Sequence, residues 1–403
     1  MFKKISLYAV VIPLITGCIA TTGGGPLVGP GRSSQILESP QEEAHGRNIE
    51  VAIPVFEPNI PANSDDWEKQ GIWPELRRAE SKRFAIKMKE ALEDTHQFGA
   101  VRVVPDQSAT GDLYILGKIE ESNGENVKIH IKAISIDGKT WLSQTFQHRT
   151  KEAFFRDIRN QDKSPYEPVF EQAAQRIIQK LKKKDHQYLA DLNTLTEVRF
   201  GYSFSEESFA PFMKTSGNKM TLVSAPADED AMLRRIRKLR TKDQLFIDSL
   251  QPHYEAFDAQ LSPPYTAWQE AAFTESKAKR EARAKAMGKA VLGTLLLVAG
   301  AAVAANSSDA HDPNTGGVIA GTVGAAAGGY FLLESHHAYK EAKLHHQSLM
   351  ELGRDIDVQI APQVVEFEKQ TVKLIGDDKE QFDQWRNFLK KIYNEETTPA
   401  NQL

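Results

Sequence analysis

The 403-residue chain contains one cysteine, Cys18. A disulfide needs a second thiol and so does a cysteine-bound metal cluster, so both are excluded. The chain also lacks the HExxH of zinc proteases, the GxSxG of serine hydrolases and the GxxxxGK[ST] phosphate loop. It has no basic excess either: 50 Lys and Arg stand against 54 Asp and Glu, a net charge of −4. Nucleic acid is therefore not an expected partner. These absences leave stability to packing alone and point to a non-enzymatic protein with no metal or cofactor.

What is present begins at the cysteine itself. Lys3 and Lys4 precede an apolar run from Ile5 to Thr16, broken only by Ser6, Tyr8 and Pro13. The run is too short to span a bilayer and has the layout of an export signal. Ile15-Thr16-Gly17-Cys18 resembles the lipobox of bacterial lipoproteins. The resemblance implies cleavage before Cys18, with 1–17 as signal peptide and acyl chains as the one covalent addition, on Cys18. Ile19 follows, not the aspartate that tends to retain such proteins in the inner membrane. The implied location is the outer membrane, lipid-anchored and facing the periplasm. Without Lys3 and Lys4 the formal charge becomes −6. Each buried methylene of an acyl chain adds roughly 0.8 kcal/mol, so a multiply acylated Cys18 anchors durably.

Residues 18–47 are rich in Gly, Pro and Ser without apolar periodicity and read as a tether, about 30 Å in root-mean-square span. Residues 48–184 read as an α+β docking domain. Ile49, Val51, Ile53 and Val55 alternate along a strand, where Pro54 suggests a sheet edge or bulge. A helix opened by Pro74 follows. Four strands then come at 100–104, 112–122, 126–136 and 140–148. Asn123-Gly124 and Asp137-Gly138 suit type I′ turns between the last three, a three-strand meander. A helix over 165–184 closes the unit. The words "VAIPVFEPN", "FGAVRVVPD" and "TGDLYILGKI" resemble the amino-terminal domain of the TolB translocation protein, and the core of curli-secretion and polysaccharide-export lipoproteins. The resemblance implies a periplasmic assembly or docking module. No propeller repeats follow, so Tol-system function is not implied, and the paired amphipathic strands of curli-type barrels are missing.

Residues 185–265 read as helical, with candidates at 188–200, 206–213 and 228–260. Pro252 should end or kink the last, and Pro263-Pro264 should break the chain again. Residues 266–375 read as a helical stalk around an apolar hairpin, 290–333. Its arms are the charge-free "AVLGTLLLVAGAAVAA" and "VIAGTVGAAAGGYFLL", joined by "NSSDAHDPNTGG". Gly317, Gly321, Gly324 and Gly328 resemble glycine-zipper segments of small outer-membrane lipoproteins, implying close helix packing, insertion into the membrane as a transmembrane helix pair, or assembly as a homo-oligomer. Lys277, Lys279, Arg280, Arg283, Lys285 and Lys289 precede the first arm and suit lipid phosphates. A soluble hairpin with a solvated cationic face fits the same residues. Helix is expected over 334–374, kinked at Pro362, and again at 378–393, with 376–403 as short helix and tail.

Two further clusters carry weaker signals. His337, Glu341 and His345 share one helical face at four-residue spacing, compatible with a metal ion but more in keeping with a solvated helix. Arg234, Arg235, Arg237, Lys238, Arg240 and Lys242 could bind an anionic polymer or lipid, the second functional reading, or simply form a surface. The first reading is an assembly component of an envelope machine for secretion, polymer export or a surface appendage. Its expected partners are the outer membrane, further copies of itself and other envelope proteins.

Overall fold

The computed structural model describes residues 48–70, 72–160, 163–217, 219–304, 363–367 and 370–397. Cys18 and the tether, the second hairpin arm with Gly317, Gly321, Gly324 and Gly328, and the His337–Glu341–His345 group lie outside them. The fold is mixed α+β around a five-stranded sheet in the order β2-β1-β3-β4-β5. These strands are β1 (Val51–Pro54), β2 (Val101–Val104), β3 (Leu113–Ser122), β4 (Asn126–Ser135) and β5 (Thr140–Arg149). Helices α1 (Asp65–Gln70) and α2 (Pro74–Glu93) connect β1 to β2, to which β1 runs parallel. β1 is also parallel to β3, whereas β3, β4 and β5 pair antiparallel.

β1 is therefore central, not an edge. Pro54 is tolerated because it ends the strand, and the next amide, Val55, already bonds the Val104 carbonyl at 3.2 Å. All four β1 residues are buried, as befits a strand covered on both faces. The turns also differ from expectation. Type I′ needs positive φ at both central residues, but only Gly124 (φ 84°) and Gly138 (φ 80°) have it. The Asn123 and Asp137 carbonyl-type oxygens instead accept backbone N–H groups of their own turns, at Asn126 (2.7 Å) and Lys139 (3.2 Å). Gly124 then sits first in a two-residue loop, which selects type II′.

Helices α3 (Glu152–Arg156) and α4 (Glu167–Leu181) follow. α4 turns Val169, Phe170, Ala173, Ile177 and Leu181 inward, and Phe170 meets Phe84 of α2 edge-on at 5.3 Å. Helix α5 (His186–Tyr202) starts at Asp185, whose carboxylate accepts the Gln187 amide. The helix expected over 206–213 is one turn, α6 (Glu206–Phe209), because Pro211 follows. The chain then makes a hairpin of β6 (Met213–Ser216) and β7 (Lys219–Leu222).

Helix α7 runs unbroken from Ala231 to Ala304, 74 residues, about 110 Å at 1.5 Å per residue. Pro252, Pro263 and Pro264 lie inside it and do not end it. Each proline frees the carbonyl four residues earlier, at Asp248, Ala259 and Gln260. All three residues are exposed, which puts the breaks where the helix is open to solvent. Residues 363–374, expected as helix, form an antiparallel hairpin of β8 (Gln363–Phe367) and β9 (Gln370–Leu374). Val364, Val365, Thr371 and Val372 are β-branched and favour strand. Helix α8 (Asp378–Thr397) closes the chain. Among the described residues no helix is long and apolar enough to cross a membrane. One hydrophobic core joins the sheet, α2, α4, α5, α7 and α8.

Candidate functional site

The charge-bearing feature that organises the molecule is the seam along α7. Its first stretch lies on α5 and α8. Leu233, Ile236, Leu239, Phe246, Ile247 and Leu250 are buried there, and Phe246 stacks on Trp385 at 5.3 Å and on Phe382 at 6.3 Å. Asp243, buried in this packing, receives the Arg386 guanidinium at 2.8 Å, while desolvation holds its carboxyl above the ordinary range.

The second stretch of α7 runs antiparallel along α2, whose buried face is charged. Arg77, Glu80, Lys82 and Arg83 are each less than 10% exposed. Arg83 bonds Asp258 at 2.5 Å and Ser262 at 2.8 Å, and stacks over the Tyr265 ring at 4.7 Å. Lys87 reaches the same Asp258 carboxylate at 2.9 Å. Glu80 accepts the Tyr265 hydroxyl at 2.8 Å and the Ser122 hydroxyl, and pairs with Arg77 at 3.2 Å. Burial raises the Glu80 carboxyl, with Arg77 the largest opposing influence. Burial beside Glu80 likewise pushes the Tyr265 phenol well above its ordinary value. Farther along, Ser276 donates to the Asn123 carbonyl at 2.8 Å and the Phe273 ring meets Phe155 at 5.2 Å.

The expected lipid-contact cations fall at the end of this seam. Lys277 pairs with Glu152 at 2.6 Å, and Arg280 with Glu125 at 3.0 Å. Both are committed to carboxylates of the sheet unit, beside the β3–β4 turn. Lys279, Arg283, Lys285 and Lys289 lie on the helical backbone of α7, and their side chains are outside the description. The arginine run is also largely spent internally. Arg235 donates to the Tyr393 carbonyl (2.8 Å), Arg237 pairs with Glu197 (3.0 Å) and Asp228 (3.1 Å), and Arg240 with Glu50 (2.8 Å). Arg234 and Lys238 are exposed, with Arg234 3.6 Å from Glu229, and Lys242 is exposed as well.

The polar outer face of the sheet carries His130, with Nε2 3.1 Å from Ser143 Oγ and Nδ1 3.0 Å from Thr145 Oγ1. Thr145 in turn lies 3.4 Å from Glu120. The imidazole thus bridges two hydroxyls of β5 in a cross-strand ladder. No group of three or more metal-ligating side chains occurs among the described residues.

Sequence reasoning missed the buried charges of α2. Its apolar stripe was legible, but nothing in the local sequence marks Arg77, Glu80 and Arg83, spaced at three residues, as buried. Their only sequence signal is the matching set Asp258, Ser262 and Tyr265 on a distant helix, which periodicity cannot pair with them. The arrangement holds a long helix against a small sheet, and comparison with known proteins finds no matching family model, no matching curated relative and no matching solved structure.

Proposed function

We propose that this chain is a non-enzymatic lipoprotein of the bacterial outer membrane, anchored through Cys18 and facing the periplasm. It serves as an assembly or structural component of an envelope machine, for secretion, polymer export or a surface appendage. The sheet unit docks to other envelope proteins, and the glycine-zipper hairpin at 290–333 inserts into a bilayer or joins copies of the chain. One observation carries the reading. α7 is clamped to the sheet unit as far as Arg280, and the same helix continues into the charge-free stretch that ends at Ala304. A helix fixed at its base suits the delivery of an apolar tip.

The direction of α7 adds support. Arg240 lies against Glu50, where the chain enters β1, and Arg280 lies against Glu125, beyond the far end of β3. The tethered terminus and the outgoing helix therefore leave the sheet unit at opposite ends. Binding of anionic polymer or lipid through the arginine run draws less support, because Arg235, Arg237 and Arg240 already have protein partners.

Membrane fractionation tests the proposal. The wild-type chain should incorporate labelled fatty acid and stay with outer membranes through an alkaline wash. Cys18→Ser should lose the label and remain partly bound through the hairpin. Cys18→Ser with 290–333 deleted should wash off. Complete release of Cys18→Ser alone would remove the hairpin's role, and unchanged lipid labelling would remove the anchor.

A further inference from the structure

Lysines from three elements meet at one corner of the sheet unit. Lys139 leaves the β4–β5 turn, Lys180, Lys183 and Lys184 lie at or just past the end of α4, and Lys219 opens β7. β7 is held there by its Met220 amide, which donates to the Asp137 carbonyl of the turn at 3.1 Å. The Tyr188 ring of α5 bears two ammonium groups, Lys139 Nζ at 4.5 Å and Lys184 Nζ at 5.5 Å, so these like charges lie at most about 10 Å apart. Lys184 Nζ is also 5.0 Å from the Trp141 ring. Burial, and then the Lys139 charge, hold the Lys184 amine below its ordinary range.

The charge is not balanced locally. Segments 135–141, 180–188 and 213–222 hold seven lysines and two carboxylates, in a chain whose formal charge without Lys3 and Lys4 is −6. Asp137 accepts Lys139 at 2.7 Å, the Tyr188 hydroxyl at 3.1 Å and the Ser135 hydroxyl. Asp185 accepts the Gln187 amide at the start of α5. Among the described residues no carboxylate pairs with Lys180, Lys183, Lys184 or Lys219, and Lys180, Lys183 and Lys219 are exposed. The dipole of α4 favours cations at its C-terminus, but it does not account for Lys139 and Lys219, which other elements bring.

The same corner marks where the chain enters the sheet. Val51 of β1 pairs with Leu113, and Leu113 with Ser135 at the end of β4, so the β4–β5 turn lies two strands, about 10 Å, from the entry. Cys18 precedes Asn48 by 30 residues. We propose that this lysine corner docks on the anionic head groups of the leaflet that holds Cys18. Each lysine within a Debye length of a negative surface adds a weak attraction. A tether of about 30 Å span keeps the corner at an effective concentration where several weak attractions suffice. A bilayer is favoured over a soluble polyanion because only the bilayer is fixed beside this end of the sheet by the chain itself. The inference deepens the envelope reading and rests on its lipid anchor.

Amine footprinting on vesicles tests it. The full chain is coupled through its single thiol, Cys18, to a maleimide-bearing lipid, so attachment does not rely on acylation in the cell. Vesicles of phosphatidylcholine alone are compared with vesicles that also contain phosphatidylglycerol. The anionic vesicles should slow labelling of Lys183 and Lys219 by a succinimidyl ester about fivefold. Salt at about 1 M, where the Debye length is about 3 Å, should restore the rate. Lys118, midway along β3, should label alike on both kinds of vesicle. Lys180→Glu with Lys183→Glu should remove the slowing at Lys219 without moving the unfolding midpoint, because both side chains are exposed. Equal labelling of Lys183 and Lys219 on the two kinds of vesicle overturns the proposal. So does slowing by soluble polyphosphate with none by phosphatidylglycerol, which would assign the corner to a free polyanion. Either result leaves the anchor itself intact, since fatty-acid incorporation at Cys18 in cells is read separately.

Discussion

The two stretches of α7 belong to one helix yet are held by different physics. The first, near Leu233–Leu250, is docked mainly by apolar side chains on α5 and α8, packed around the buried Asp243–Arg386 pair. Each such side chain contributes roughly 1.5–3 kcal/mol through burial, nearly independent of salt. The second, near Asp258–Arg280, also buries Leu261, Tyr265, Trp268 and Phe273, but opposes the charged face of α2. There the desolvation of Arg77, Glu80 and Arg83 offsets much of what the pairing returns. The first stretch is therefore a permanent base and the second a clamp that sets direction. Geometry is specified most strictly where breaking one partner strands the other.

The largest expected effect is on the base. Trp385 is 1% exposed and stacked on Phe246. Trp385→Ala should cost about 3–5 kcal/mol, the range for emptying an aromatic site in a core. Urea unfolding should show the same loss at low and at high salt. A loss that shrinks with salt would mean that the base too is electrostatic.

The clamp should respond next. Asp258 neutralises both Arg83 and Lys87, and its side chain is 10% exposed. Asp258→Ala leaves the buried Arg83 without its carboxylate, while Lys87 keeps Glu90 at 2.8 Å, at a cost of about 3 kcal/mol. Hydrogen exchange should speed up in α7 beyond residue 255 while residues 233–250 keep their protection. Uniform acceleration along the helix would erase the distinction between the stretches.

A third test concerns a carboxylate at the base itself. Asp112 accepts the Thr196 hydroxyl of α5 at 2.5 Å and the Glu50 amide at 2.8 Å. Burial raises its carboxyl from 3.8 to about 6, against the opposing influence of those hydrogen bonds and of Arg240. Because the folded state holds this proton more tightly than the unfolded chain, stability is fully present below pH 3.8. It falls as pH rises and is lost above about 6, a change of about 3 kcal/mol. Asp112→Asn should flatten that part of the stability profile. A stability difference between variant and wild type that stays constant from pH 4 to 6.5 would remove Asp112 as the cause.

The α+β class was legible in the sequence because strands of period two and helices of period 3.6 occupy separate blocks before residue 184. The continuity of α7 was not. Proline costs a helix about 3 kcal/mol in isolation, and nothing local reveals that the breaks fall at exposed residues while both flanks are docked. Residues 363–374 misled for the opposite reason: their apolar spacing fits a helix, but their β-branched residues, with Val365 opposite Val372, favour strand. The committed partners of Lys277 and Arg280 were illegible too, since Glu152 and Glu125 lie more than a hundred residues away in the chain.

Those two cations give the smallest expected effect on stability and the finest test of the clamp. The side chains of Lys277 and Arg280 are 31% and 44% exposed, so each pair contributes at most about 1 kcal/mol, and less at high salt. Lys277→Ala with Arg280→Ala should barely move the unfolding midpoint. It should nevertheless release the helix from the β3–β4 turn, because Ser276 with Asn123 and Phe273 with Phe155 become the last ties near the end of the clamp. A spin label at residue 284, read against one on the turn at residue 126, should broaden its distance distribution in the double variant, and in wild type at high salt. An unchanged distribution would place the control of helix direction upstream, with Asp258 and Tyr265, and would free the two cations for lipid.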